Sequence, residues 1–132
     1  VGLGEDEARA KGLPVEVGKS SYRLNPRGQV IGDTEGFVKL VFRQDDYSIV
    51  GASVIGEHAC ELVHVPAAVM HFKGTLDYFI QATFNFPTLT DAFKYAAYDG
   101  LQRLQKRMSS VPGTPRQTAA VPPAGDAMRG RA

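Results

Sequence analysis

From Leu89 to Leu104, the apolar residues Leu89, Ala92, Phe93, Ala96, Ala97, Leu101 and Leu104 recur at the period of a helix that packs one face against a core. Pro87 stands just ahead of this stripe. A residue preceding proline is steered out of the helical region, so Phe84-Asn85-Phe86-Pro87 must be extended or turned. Thr88 and Asp91 have the spacing of a capping pair, in which the Thr88 hydroxyl accepts from the Asp91 amide and the Asp91 carboxylate reaches back to the Thr88 amide. Together these bonds are worth about 1 kcal/mol.

The segments before this helix read as strands first and helices later, which predicts an α+β domain: an antiparallel β-sheet with two to three helices packed against it. Val15 to Tyr22 forms the first strand, closed by Asn25-Pro26-Arg27-Gly28, a sequence suited to a tight turn. Phe37 to Arg43 alternates, with Val38, Leu40 and Phe42 on one face and Lys39 and Arg43 on the other. Gln44 to Ser48 is a polar hairpin loop leading to a partner strand, Ile49 to Ile55. Beyond Gly56, the spacing of Cys60, Val63, Ala67 and Met70 predicts a helix from about Glu57 to His71, kinked at Pro66 because an interior proline forfeits a backbone hydrogen bond. A shorter helix follows from Thr75 to Thr83, with Thr75 as its cap and Leu76, Phe79 and Ile80 on its inner face.

Composition narrows the function classes. A length of 132 residues suits one domain, and 43% hydrophobic residues, 22% charged residues and a net charge of +1 do not give the basic face a nucleic-acid binder needs. No apolar stretch is long enough for a membrane helix, and Val1 is followed by no leader of the secretory type, so the expectation is a cytoplasmic protein in which Val1 is not the natural start. The single cysteine, Cys60, excludes an internal disulfide and a cysteine-type zinc site. Residues 111–132 hold four of the eight prolines and almost no large apolar side chain, and read as a disordered tail behind an ordered domain of residues 1–110.

Taken in order, several segments resemble one known arrangement: Val1-Gly2-Leu3 with the acidic residues of 5–7, Gly32-Asp33-Thr34-Glu35-Gly36-Phe37-Val38-Lys39-Leu40, Ile49-Val50-Gly51-Ala52, Gly56-Glu57-His58-Ala59-Cys60-Glu61-Leu62, and Phe86-Pro87-Thr88. The chain resembles the C-terminal dimerisation domain of the pyridine nucleotide-disulfide oxidoreductases over roughly residues 1 to 106. The resemblance implies a homodimer, FAD and NAD(P) bound by other domains of a longer parent enzyme, and no cofactor or catalysis in this fragment alone. In the disulfide-reducing members, a His stands at the position of Phe86 and a Glu at that of Asp91, serving as acid/base toward redox cysteines. Phe86 carries no proton, so no catalytic residue is assigned here. The soluble transhydrogenase branch of the family agrees better with Phe84-Asn85-Phe86-Pro87-Thr88 and with Glu61-Leu62-Val63-His64. That branch implies hydride exchange between NAD(H) and NADP(H) through FAD, with Phe86 and Pro87 approaching the FAD of the partner subunit. The alternatives are a dihydrolipoamide dehydrogenase-like reductase without its His and a free-standing dimerisation module. Gly4, where a Thr usually caps the first short helix, and Pro66 depart from the family pattern.

The remaining candidates read as structural. His58, His64 and His71 have no second ligand type at metal-site spacing, so they are partly buried or interface histidines and no metal is assigned. Cys60 reads as a small core residue. Phe79, Phe84, Phe86, Phe93, Tyr95 and Tyr98 form an aromatic cluster that suits a subunit interface better than a flavin-stacking wall.

Overall fold

Strand β2 (Phe37–Arg43) lies at the centre of a three-stranded antiparallel sheet, between β1 (Val15–Ser21) and β3 (Ile49–Ile55). The computed structural model describes residues 1–110; the expected tail lies outside the described residues. The alternation read from the sequence sets the register, which pairs Gly18 with Leu40 on one side and Leu40 with Ala52 on the other. Val38, Leu40 and Phe42 accordingly share a fully buried face. Val41 points the other way and joins Ala8, Val15 and Val17 in a smaller cluster beneath α1 (Glu5–Ala10). Helix α1 forms without a side-chain cap, its start held by the Gly4 carbonyl, which accepts from the Ala8 amide at 2.9 Å. Residues Val1 to Leu3 run along the open edge of β3, exchanging bonds with Val50 and Ala52.

The main face is covered by three further helices, α4 (His64–His71), α5 (Leu76–Gln81) and α6 (Ala92–Ser109). Helix α6 buries Ala92, Phe93, Ala96, Ala97, Gly100 and Leu104, nearly the stripe anticipated, with Leu89 plugged into the core just ahead of it. It crosses β1 backbone to backbone. A Cβ built on Gly18 would lie 2.7 Å from the Gly100 amide nitrogen, and one on Gly100 would meet the Phe42 ring at 2.5 Å. Two glycines therefore set how closely the helix approaches the sheet. Glu16, two residues before Gly18, is a buried charge at this crossing, 5% exposed. Its Oε1 accepts from the Val17 amide, and its Oε2 lies 3.4 Å from Arg107 Nε, close enough for an ion pair but not aligned for a hydrogen bond.

Four expectations are corrected. Thr75 precedes α5 but its side chain makes no capping bond. Asn25-Pro26-Arg27-Gly28 is not a simple turn but the opening of helix α2 (Pro26–Ile31), which follows a 3-10 turn at Tyr22–Leu24. Asn25 caps it, Pro26 occupies the first turn, where its missing N–H costs nothing, and Gly32 ends it at φ 77°. The kinked helix expected over 57–71 is instead broken at Val63 into α3 (Ala59–Leu62) and α4. The break puts Pro66 in the first turn of α4, where a proline is tolerated, and the buried face runs through Leu62, Pro66 and Val69 rather than Cys60, Val63, Ala67 and Met70. Cys60 is consequently exposed, because Leu62, two residues on, takes the inward direction.

The Gly18 crossing gives a stability test. Gly18→Ala is expected to cost about 1–3 kcal/mol, because the added methyl meets the α6 backbone and not a yielding side chain. Gly100→Ala is expected to cost less, since alanine recovers up to ~1 kcal/mol of helix propensity. Urea unfolding midpoints at unchanged slope measure both; a Gly18→Ala domain as stable as the original would contradict the packing.

Candidate functional site

The segment between α5 and α6 turns a corner at Phe86-Pro87, whose peptide bond is cis. Thr88 holds the inside of the corner. Its hydroxyl donates to the Asn85 carbonyl at 2.7 Å and accepts from the Asp91 amide at 3.4 Å, so one half of the expected capping pair is present. The reciprocal bond is not made: Asp91 gives no side-chain cap, its carboxylate being a methylene shorter than that of the usual Glu. The first turn tightens instead, with the amides of Ala92 and Phe93 donating to the carbonyls of Leu89 and Thr90.

The outside of Thr88 is gripped from a distant part of the chain. Asn25, 2% exposed, donates from Nδ2 to the Thr88 carbonyl at 3.0 Å while its Oδ1 accepts from the amides of Arg27 and Gly28. Sequence reasoning missed this residue. The signal was there, because Asn followed by Pro is also the signature of a helix cap and its first turn. With residues 85 and 88 held, the pair between them projects: Phe86 is 69% exposed and Pro87 is exposed beside it. Neither side chain ionises, so the corner offers apolar surface and backbone groups but no acid or base.

The expected aromatic cluster divides. Phe79 and Phe93 stack at 5.5 Å inside the domain's own core, Phe84 is half-buried against Tyr78, and Tyr95 and Tyr98 stand exposed on the outer face of α6. A second surface lies between α4 and α5. There, an open groove of about 610 Å³ is lined by Val65, Ala68, Val69, Phe72 and Tyr78, with His64 at its margin. Phe72 is 81% exposed at its rim. His58, His64 and His71 are all exposed, and among the described residues no three His, Cys, Asp or Glu side chains gather as a metal site. No helix among the described residues is long and apolar enough to cross a membrane.

One further polar cluster ties the loops beside α2. Asp33 accepts from the amides of Glu57 (2.7 Å), Gly36 (2.8 Å) and Glu35 (3.2 Å), bonds that hold its carboxyl below the usual carboxylate range, that from Glu57 contributing most. Tyr22, fully buried, donates to the Glu57 carbonyl at 3.3 Å. Burial, helped by the Asp33 charge, pushes its phenol up to about 12.

Residues 1–97 match the family model of the pyridine nucleotide-disulphide oxidoreductase dimerisation domain. The chain belongs to this family. The domain is 41% identical over 107 residues to the soluble pyridine nucleotide transhydrogenase of Vibrio atlanticus, and 38% identical over the same length to that of Pseudomonas fluorescens. Each alignment covers 79% of this chain and 23% of the relative, so the chain spans about a quarter of the length of the curated relatives it matches. Among solved structures it is similar to LpdA from Mycobacterium tuberculosis, with a TM-score of 0.70 at 23% identity over 74% of this chain and 21% of that one. It is also similar to the HOCl-induced flavoprotein disulfide reductase RclA from Escherichia coli, with a TM-score of 0.67 at 24% identity over 70% of this chain and 21% of that one. These structures carry the same α+β fold, with an antiparallel sheet under helices.

Asp33 and Tyr22 make opposite pH predictions. Asp33 stabilises the fold above the ordinary carboxylate pKa of about 3.9, and that contribution is lost as pH falls through its lower folded value. Tyr22 contributes below pH 10, and its contribution is lost as pH rises from 10.0 toward about 12. In an alkaline titration followed by phenolate absorbance, Tyr22 should give a late step, displaced from 10.0 toward about 12, that Tyr22→Phe removes. A titration whose late end Tyr22→Phe leaves unchanged would contradict the buried placement.

Proposed function

We propose that this domain pairs two copies of a longer FAD-dependent oxidoreductase and places Phe86-Pro87 against the flavin of the partner subunit. We further propose that the parent enzyme exchanges hydride between NAD(H) and NADP(H). The observation that carries this reading is the corner before α6: it is firmly held, fully displayed, and has a phenylalanine where disulfide-reducing members need an imidazole. FAD, when bound in the parent chain, accepts a hydride from one nicotinamide and returns it to another, chemistry that needs no thiol and no proton shuttle at this corner. The apolar, exposed Phe86 and Pro87 suit an aromatic ring system; among the described residues no phosphate-cradling glycine loop follows a strand, so the dinucleotide itself belongs to other domains. The names of the transhydrogenase relatives support the same reaction.

The surface best suited to pairing is the groove of α4 and α5, where Phe72 and Tyr78 leave apolar area in water. Cytoplasmic residence is part of the same proposal. Two outcomes follow. Sedimentation of the parent protein should give a dimer that Phe72→Glu weakens and Tyr95→Glu, on the outer face of α6 and outside the groove lining, does not; an unchanged dimer with Phe72→Glu would remove the groove from the interface. The parent protein should pass reducing equivalents from NADPH to an NAD⁺ analogue at a rate that a thiol-alkylating reagent leaves intact. Loss of that transfer on alkylation would favour a cysteine-based reductase instead.

A further inference from the structure

We propose that Asn25 is a positioning residue for the flavin-facing corner, a role that rests on the assignment of Phe86-Pro87 above. A helix cap needs only an acceptor, and Ser, Asp or Thr would serve α2 as well. Asn25 uses its other end too. With Oδ1 committed to the amides of Arg27 and Gly28, at 2.9 and 3.1 Å, its Nδ2 reaches across to the Thr88 carbonyl at 3.0 Å. The orientation of the amide is settled by its partners: turned over, it would set NH2 against two N–H donors and its oxygen against a carbonyl.

The anchor behind Asn25 is rigid. Gly28 packs so closely on Tyr22 that a Cβ there would lie 2.9 Å from the Tyr22 Cβ, and Tyr22 is itself wholly buried. Thr88 is therefore fixed from outside by Asn25 and from inside by its own hydroxyl on Asn85, leaving Phe86 and Pro87 as the only two residues between the held points. A carbonyl freed at Thr88 would let the corner rotate on its Asn85 hinge, and displacements near 1 Å at a reacting centre reduce rates by up to about a hundredfold.

The test uses the full-length flavoprotein. Asn25→Asp keeps the capping oxygen but loses the donor and sets a carboxylate against the Thr88 carbonyl. At a temperature where both proteins remain folded, flavin-mediated transfer between NADPH and an NAD⁺ analogue should fall about tenfold or more in kcat with KM little changed, and the flavin visible band should shift. Lowering the pH until the introduced carboxylate is protonated should restore transfer, because the carboxylic acid again donates to Thr88; the unmodified enzyme should show no such recovery. If Asn25→Asp does not fold, Asn25→Ser, which caps α2 but is too short to reach Thr88, gives the same reading. Phe86→Ala separates the positioning role from the corner's own. A flavin band altered by Phe86→Ala but untouched by Asn25→Asp overturns the positioning role and leaves the corner's assignment standing. A band that responds to neither overturns both.

Discussion

The contact on which the rest of the domain depends is the crossing of α6 over β1, where Gly18 and Gly100 remove both Cβ atoms and let helix and sheet meet at the backbone. That approach sets the height of α6 over the sheet, and the buried Phe42, Ala96 and Ala97 pack around it. The N-terminal end of α6 is fixed as a result, and the corner before it inherits its position. Asn25 then adds a local restraint on Thr88, so that a global packing constraint and one side-chain amide together decide where Phe86 stands. A stripe of alanines made the helix legible; the glycines explain why it sits so close.

How much of this could be read from the chain follows from where the physical signal lies. The alternation in β2 and the long stripe of α6 are periodic over enough residues to specify both element and buried face, and both lie where they were placed. Helix α2 escaped because it spans only six residues and buries little beyond Gly28, so no period exists to find; its evidence was confined to the Asn25 cap and the Gly32 stop. The α3 and α4 pair misled for a different reason. Leu62, Pro66 and Val69 lie at helical spacing on one inward face that runs through the break at Val63, while Cys60, Val63 and Ala67 keep a helical period of their own on a neighbouring face, so periodicity alone favoured the wrong stripe and Cys60 stands in water. Local propensity marks Pro66 as disruptive but does not distinguish a bend from the start of a new helix.

The site was legible in part. Thr88, Pro87 and Phe86 were all marked by the sequence as a capped corner, and the structure gives that corner its exposed pair. The grip from Asn25 was not legible, since it joins residues 63 positions apart and depends on α2 existing at all. The aromatic cluster likewise looked like one surface and is two, with Phe79 and Phe93 in the core and Tyr95 and Tyr98 outside. The chemistry of the corner is set by what it lacks at Phe86 as much as by what it holds: an apolar side chain there leaves no group to move a proton.

The most direct test of this account is the location of Phe86 in the assembled protein. A photoreactive benzoylphenylalanine replacing Phe86 in the full-length flavoprotein should, on irradiation, join two subunits covalently, with the cross-linked peptide mapping to the FAD-binding domain of the other copy. A product linked only within its own subunit, or dimers joined with no peptide from the FAD-binding domain, would contradict a corner displayed to complete a partner's flavin site.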